Sequence, residues 1–98
     1  MARRKVIWTK TADLQFQRIL EYWVDRNQST NYARKLINDV ATRTIQISQN
    51  PGIFKKTDYG DVRVASLGNF SIYYRTYPKS IAITAFWDNR QDPNKLLK

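Results

Sequence analysis

Apolar positions along the chain change period once, near residue 52. "KVIWT" (Lys5 to Thr9) is a short β-branched and aromatic run and predicts a first strand. In "KTADLQFQRILEYWVDRN", Phe16, Ile19, Leu20, Trp23 and Val24 recur at helical spacing and form one apolar stripe. Thr11 is placed to cap this helix, and Asp13 lies in its first turn, facing the positive end of the dipole. "RNQST" interrupts the pattern, with Ser29 or Thr30 as the next cap. A second stripe follows: Ala33, Leu36, Ile37, Val40, Ala41, Thr44 and Ile47. "NPG" (Asn50 to Gly52) stops it. So short a link makes the two helices an antiparallel hairpin.

Beyond Gly52 the pattern alternates. "IFKKTDYGD" reads as a loop exposing Lys55 and Lys56. Three strands follow, Val62 to Ser66, Phe70 to Tyr77 and Ser80 to Trp87, with "LGN" and "PK" as turns. The order is strand, helix, helix, three-stranded meander, which makes an α+β fold. No repeat or linker divides it, so residues 1–98 read as one domain.

The meander lets faces be assigned. With Pro78 and Lys79 as a two-residue loop, Tyr74 pairs with Ile83 and Ile72 with Ala85. Phe70, Ile72, Tyr74, Ile81, Ile83, Ala85 and Trp87 then face the core. Ser71, Tyr73, Arg75, Ala82, Thr84 and Phe86 face outward. For the earlier turn, a three-residue loop Leu67-Gly68-Asn69 puts Val62 and Val64 in the core and Arg63 on the outer face.

The outer face is thus expected to hold Arg63, Tyr73, Arg75 and Phe86. Arg90 follows just past the last strand, before Pro93 forbids further pairing. Such a basic and aromatic surface suits nucleic acid, with guanidiniums on phosphates and rings on bases. It suits an acidic, partly apolar peptide equally well. The plain alternative is a solvated face, with Arg90 paired to Asp88 or Asp92 in an exposed pair of little worth.

Composition narrows the chemistry. Seventeen Lys and Arg against eight Asp and Glu give a formal charge of +9, which calls for an anionic partner. With no cysteine and no histidine, disulfides, Cys/His zinc sites, a Cys nucleophile and a His base are all excluded. No Walker loop, paired-glycine fingerprint or nucleophile elbow occurs, so no cofactor and no metal are expected. No signal peptide or membrane span is read, and a cytoplasmic location is expected.

Taken together, "NPGIFKK", "VRVASLGNFSIYYRTY" and "IAITAFWDNRQDP", in this order of elements, resemble the RelE/ParE toxin superfamily. These are the toxins of bacterial type II toxin–antitoxin modules, often described as plasmid stabilization proteins. The resemblance spans Lys5 to Leu96. It implies a helical hairpin on one face of a curved antiparallel sheet that the first strand joins. It also implies a cognate antitoxin, whose acidic, partly disordered segment wraps the toxin in a hetero-oligomer, and it implies no membrane partner.

Within the superfamily, RelE-like members cut mRNA on the ribosome. They use second-strand lysines, a third-strand arginine, an arginine after the last strand and often a C-terminal tyrosine. Carried over, Arg63 stands at one second-strand position and Arg90 at the arginine after the last strand. Ser71 replaces the third-strand arginine, Asp61 the other second-strand cation, and Leu96 falls near the tyrosine. Arg75 is basic but two residues further along, about 7 Å. A RelE-like mRNA endonuclease would therefore rest on Arg63, Arg75 and Arg90, with Tyr73 recruited. The departures favour the ParE-like branch, which lacks the nuclease set and inhibits DNA gyrase by binding. There Arg63, Tyr73, Arg75, Phe86, Arg90, Lys55 and Lys56 would contact target or antitoxin. A non-toxic remnant that only binds antitoxin is the further alternative.

Overall fold

The structure, a computed structural model, describes residues 4–90. Strand β1 (Lys5–Trp8) leads into α1 (Lys10–Asn27) and α2 (Asn31–Gln49). A short 3-10 turn (Pro51–Ile53) precedes β2 (Lys55–Lys56), β3 (Arg63–Leu67), β4 (Phe70–Thr76) and β5 (Ser80–Asp88). The five strands form one sheet in the order β1-β5-β4-β3-β2. The meander is antiparallel, and β1 pairs with β5 in parallel. The expected α+β fold is therefore present, with one strand more than the pattern predicts. The "KK" of the expected loop pairs briefly with β3 as an edge strand, and both lysines remain exposed.

The helices form where their stripes place them, although the cap of α1 differs from expectation. Thr9, not Thr11, caps α1, its hydroxyl oxygen accepting from the Ala12 N–H at 3.2 Å. At α2, Thr30 occupies the cap position without a side-chain bond, and Ser29 Oγ accepts from Asn31 N–H at 3.2 Å. Ile19 is buried on α1; Leu36, Val40 and Ile47 are buried on α2. Ile37 and Ala41, at the margin of the second stripe, are exposed.

Two registers decide which side chains the sheet presents. At the β4–β5 turn the Pro78-Lys79 loop and the Tyr74–Ile83 pair are as expected. Thr84 then bulges, so that Tyr73 pairs with Ala85 and Ile72 with Phe86 rather than with Ala85. Every residue beyond it changes face. Phe86, expected outward, is fully buried, and Trp87, expected in the core, lies opposite Ser71 on the outer face. The reason is volume and hydrogen bonding together. Phe86 fills the space between Phe16, Phe70 and Trp8, with ring centroids at 4.8, 5.5 and 6.3 Å. Its N–H, beyond the reach of the shorter β1, donates to Gln15 Oε1 at 2.9 Å.

At the β3–β4 turn the loop is the two residues Gly68 and Asn69, with Leu67 opposite Phe70 and Gly68 at φ +58°. That reverses the expected faces of β3. Val64 lies opposite Tyr73 on the outer side, and Arg63 lies opposite Tyr74 on the helix side. Ala65 is the fully buried residue of this strand, where α2 packs on it. A small side chain lets the helix approach, a preference that simple alternation of valines does not reveal. Val62 is buried as well, but in the turn before the strand.

Candidate functional site

The candidate residues separate into two groups at opposite ends of the sheet. Arg90 stands at one end, where β5 runs out beside the start of β4. Asp88 points inward there because of the Thr84 bulge, opposite Phe70, and is 5% exposed. Arg90 folds back onto it: Nε and Nη2 donate to the two carboxylate oxygens at 2.8 Å each, and the Arg90 N–H donates to Oδ1 at 3.0 Å. The guanidinium lies over the Trp23 ring, 4.6 Å from its centroid, and 5.4 Å from that of Phe70. Tyr32, whose ring is 5.2 Å from Trp23, closes the cluster from α2. A single arginine thus ties the end of β5 to both helices.

Burial pushes the Asp88 carboxyl up, but the bonds from the Arg90 side chain and N–H and its positive charge outweigh burial. They hold the carboxyl below the ordinary carboxylate range. The buried Trp23 Nε1–H adds to the same stabilisation without reaching hydrogen-bond geometry. The Asp88 bonds in turn hold the Arg90 guanidinium above its ordinary value. The pair that local sequence suggested does form with Asp88, but as a bidentate pair on a buried carboxylate rather than an exposed one. Asp92, Pro93 and Leu96 lie outside the described residues.

The second group lies at the far end. Arg63 is fixed on the helix side, donating from Nη1 to the Phe54 carbonyl at 2.7 Å. Arg75 lies on the outer side, opposite Ala82, and bonds the exposed Asp61 at 2.9 Å. Lys55 and Lys56 are exposed on the neighbouring edge strand. Tyr73 is half-buried on the outer face, opposite Ala85 and Val64. Between them, Tyr74 is buried and donates to the Pro51 carbonyl; burial, partly offset by the Arg63 charge, pushes its hydroxyl up to about 12.

Arg63 and Arg75 therefore share an end of the sheet but not a face, and Arg90 is remote from both. From Phe70, beside Arg90, to Arg75 is five residues of one strand, roughly 17 Å. Ser71, in the third-strand position where an arginine would complete a nuclease set, is buried and donates to Asn89 Oδ1 at 2.9 Å. Phe86 belongs to the core. Trp23 and Tyr32 are the partners of Arg90 that sequence reasoning does not place, and the burial of Asp88 is the part of that pair it misses. The signal for Asp88 is the "FWD" run: a buried Phe86 puts Asp88 on the same face two residues on. Among the described residues no cluster of acidic side chains could hold a metal ion, and no helix is long and apolar enough to cross a membrane.

The profile of the family described as "ParE toxin of type II toxin-antitoxin system, parDE" matches residues 6–93. Among solved structures, a chain of the chromosomal ParDE TA system from P. aeruginosa superposes with a TM-score of 0.74 at 23% identity, covering 86% of this chain and 94% of that one. No curated protein is significantly similar to the sequence.

Proposed function

Because this chain belongs to the ParE toxin family of type II toxin–antitoxin systems, we propose that it is a growth-inhibiting toxin that acts by binding DNA gyrase and is neutralised by a cognate antitoxin. The observation that carries the binding reading over cleavage is the dispersal of the cations a nuclease would need. Arg63 and Arg75 lie on opposite faces, and Arg90 is bound up with Asp88 at the other end. General acid–base cleavage of RNA needs such groups around one phosphate. The antitoxin reading draws on complementarity. Leu14, Ile37 and Ile45 stay exposed on the helices, and the charge of +9 suits an acidic, partly apolar segment. The structural likeness to a chain of a ParDE system agrees with it.

Expression in a sensitive host tests both halves. Growth arrest with double-strand breaks and an SOS response, while transcripts stay intact, is expected. Rescue is expected when a neighbouring reading frame with an acidic tail is co-expressed. Transcripts cut at ribosome-positioned sites would replace this reading by the mRNA endonuclease. Expression without arrest would leave the antitoxin-binding remnant.

A further inference from the structure

Six of the seventeen Lys and Arg of this chain line up along one end of the sheet. Every strand contributes: Arg4 and Lys5 at the start of β1, Lys79 before β5, Arg75 near the end of β4, Arg63 opening β3 and Lys56 closing β2. With strands about 4.8 Å apart, this row runs roughly 19 Å across the sheet. Helix α1, by contrast, carries as many acidic as basic residues. Two guanidiniums of the row are held in place without being neutralised. Arg4 Nε donates to the Tyr77 carbonyl at 2.9 Å, and Arg63 Nη1 to the Phe54 carbonyl at 2.7 Å. Each leaves most of its five donors unused by that bond. Arg75 meets a carboxylate, but the Asp61 pair is exposed, and such pairs are readily exchanged for another anion.

Two features mark the row as more than a solubilising fringe. Tyr59, in the turn between β2 and β3, and Tyr77, in the turn between β4 and β5, adjoin it, 50% and 46% exposed. An open cleft of about 350 Å³ lies between Lys56, Arg63 and Thr76, with Asp61, the partner of Arg75, also on its wall. Cations in a line, a cleft among them and exposed rings beside them are what a single-stranded nucleic acid requires: phosphates on the charges and unpaired bases on the rings. An acidic protein segment would want apolar pockets interleaved with the charges all along the row. An apolar-lined pocket (Val6, Ala41, Ile45) meets it beside Arg4 and Lys5 at the β1 end, whereas the cleft at Lys56 and Arg63 is polar and charged apart from Val62, and the exposed Leu14 and Ile37 lie on the helices.

We infer that this cationic end of the sheet is a docking edge for the sugar–phosphate backbone of single-stranded nucleic acid. The inference does not depend on gyrase being the target, and it leaves Arg90 out.

The test is fluorescence anisotropy of the full chain with labelled oligonucleotides of about 12 nucleotides, DNA and RNA in parallel, across a salt series. Log affinity should fall with log salt at a slope near −4, about −0.7 for each phosphate engaged. Lys5→Glu with Lys79→Glu should weaken binding about tenfold or more and flatten the slope by more than one. Arg18→Glu with Arg34→Glu makes the same charge change on the helices and should stay within about threefold. Tyr77→Ala should weaken binding about fivefold with the slope unchanged. Equal affinity for DNA and RNA would identify the shared backbone as the ligand, and a preference would identify its source. Lys56→Glu decides the matter if circular dichroism shows the double variant unfolded. Equal losses from the edge and helix variants would reduce the effect to net charge and overturn the inference. So would the absence of binding at low salt, or displacement of the oligonucleotide by poly-glutamate at matched charge, which would point to an acidic protein.

Discussion

The two ends of the sheet use arginine in opposite ways. At one end Arg90 meets a buried carboxylate with two side-chain bonds, lies over Trp23 and Phe70, and has its charge answered inside the protein. At the other, Arg4 and Arg63 are positioned by main-chain carbonyls, which fix a guanidinium without cancelling its charge. The first arrangement joins β5 to the helical hairpin. The second leaves the charge without a carboxylate partner among the described residues. Position in the sequence does not separate these roles; the partner of each guanidinium does.

The contrast depends on the Thr84 bulge, because the bulge turns Asp88 inward together with Phe86. Phe86→Ala is the strongest way to break it: emptying the space between three aromatic rings should cost about 3–5 kcal/mol in chemical denaturation. Trp87→Ala, one residue on but outward, should cost far less. Comparable losses would restore the regular register. Next in size is Arg90→Ala, which strands Asp88 without its counter-ion and should cost about 2–3 kcal/mol, less than a fully buried pair because the Arg90 side chain is 42% exposed. Reduced toxicity of that variant then has to be read against its folded fraction before any contact with a target is assigned to Arg90.

Tyr74→Phe removes the bond to the Pro51 carbonyl and should cost about 1 kcal/mol. At the end opposite Arg90, Asp61→Asn should change stability by less than about 0.5 kcal/mol, since the Arg75 pair is exposed. Acid titration sharpens the same contrast. The folded Asp88 carboxyl lies below its ordinary 3.8, so its contribution is fully present above about pH 5 and is lost as pH falls through its folded pKa. Asp88→Asn should remove that part of the acid sensitivity.

Much of this was legible in the chain. The helical stripes, the Pro78-Lys79 turn, the Tyr74–Ile83 pair and the family resemblance all follow from residue pattern. The bulge at Thr84 was not, because threonine in a β-branched run carries no mark of an extra residue, and only the ring-lined space awaiting Phe86 selects it. Leu67 misled for a related reason. Alternating valines argued for an inward Val64, while close packing of α2 wanted the small Ala65 there. Those two registers decided the site. Together they moved Arg63 to the helix side and Phe86 into the core, and they gave Arg90 the buried partner that local sequence had placed in solvent.

The most direct measurement is a double-mutant cycle on folding stability with Asp88→Asn, Arg90→Gln and the pair combined. A clasp between the two side chains predicts a coupling above about 1 kcal/mol, with the double variant less destabilised than the sum of the single ones. Additivity within about 0.3–0.5 kcal/mol would contradict it and return Arg90 to the surface as a free cation available to a target.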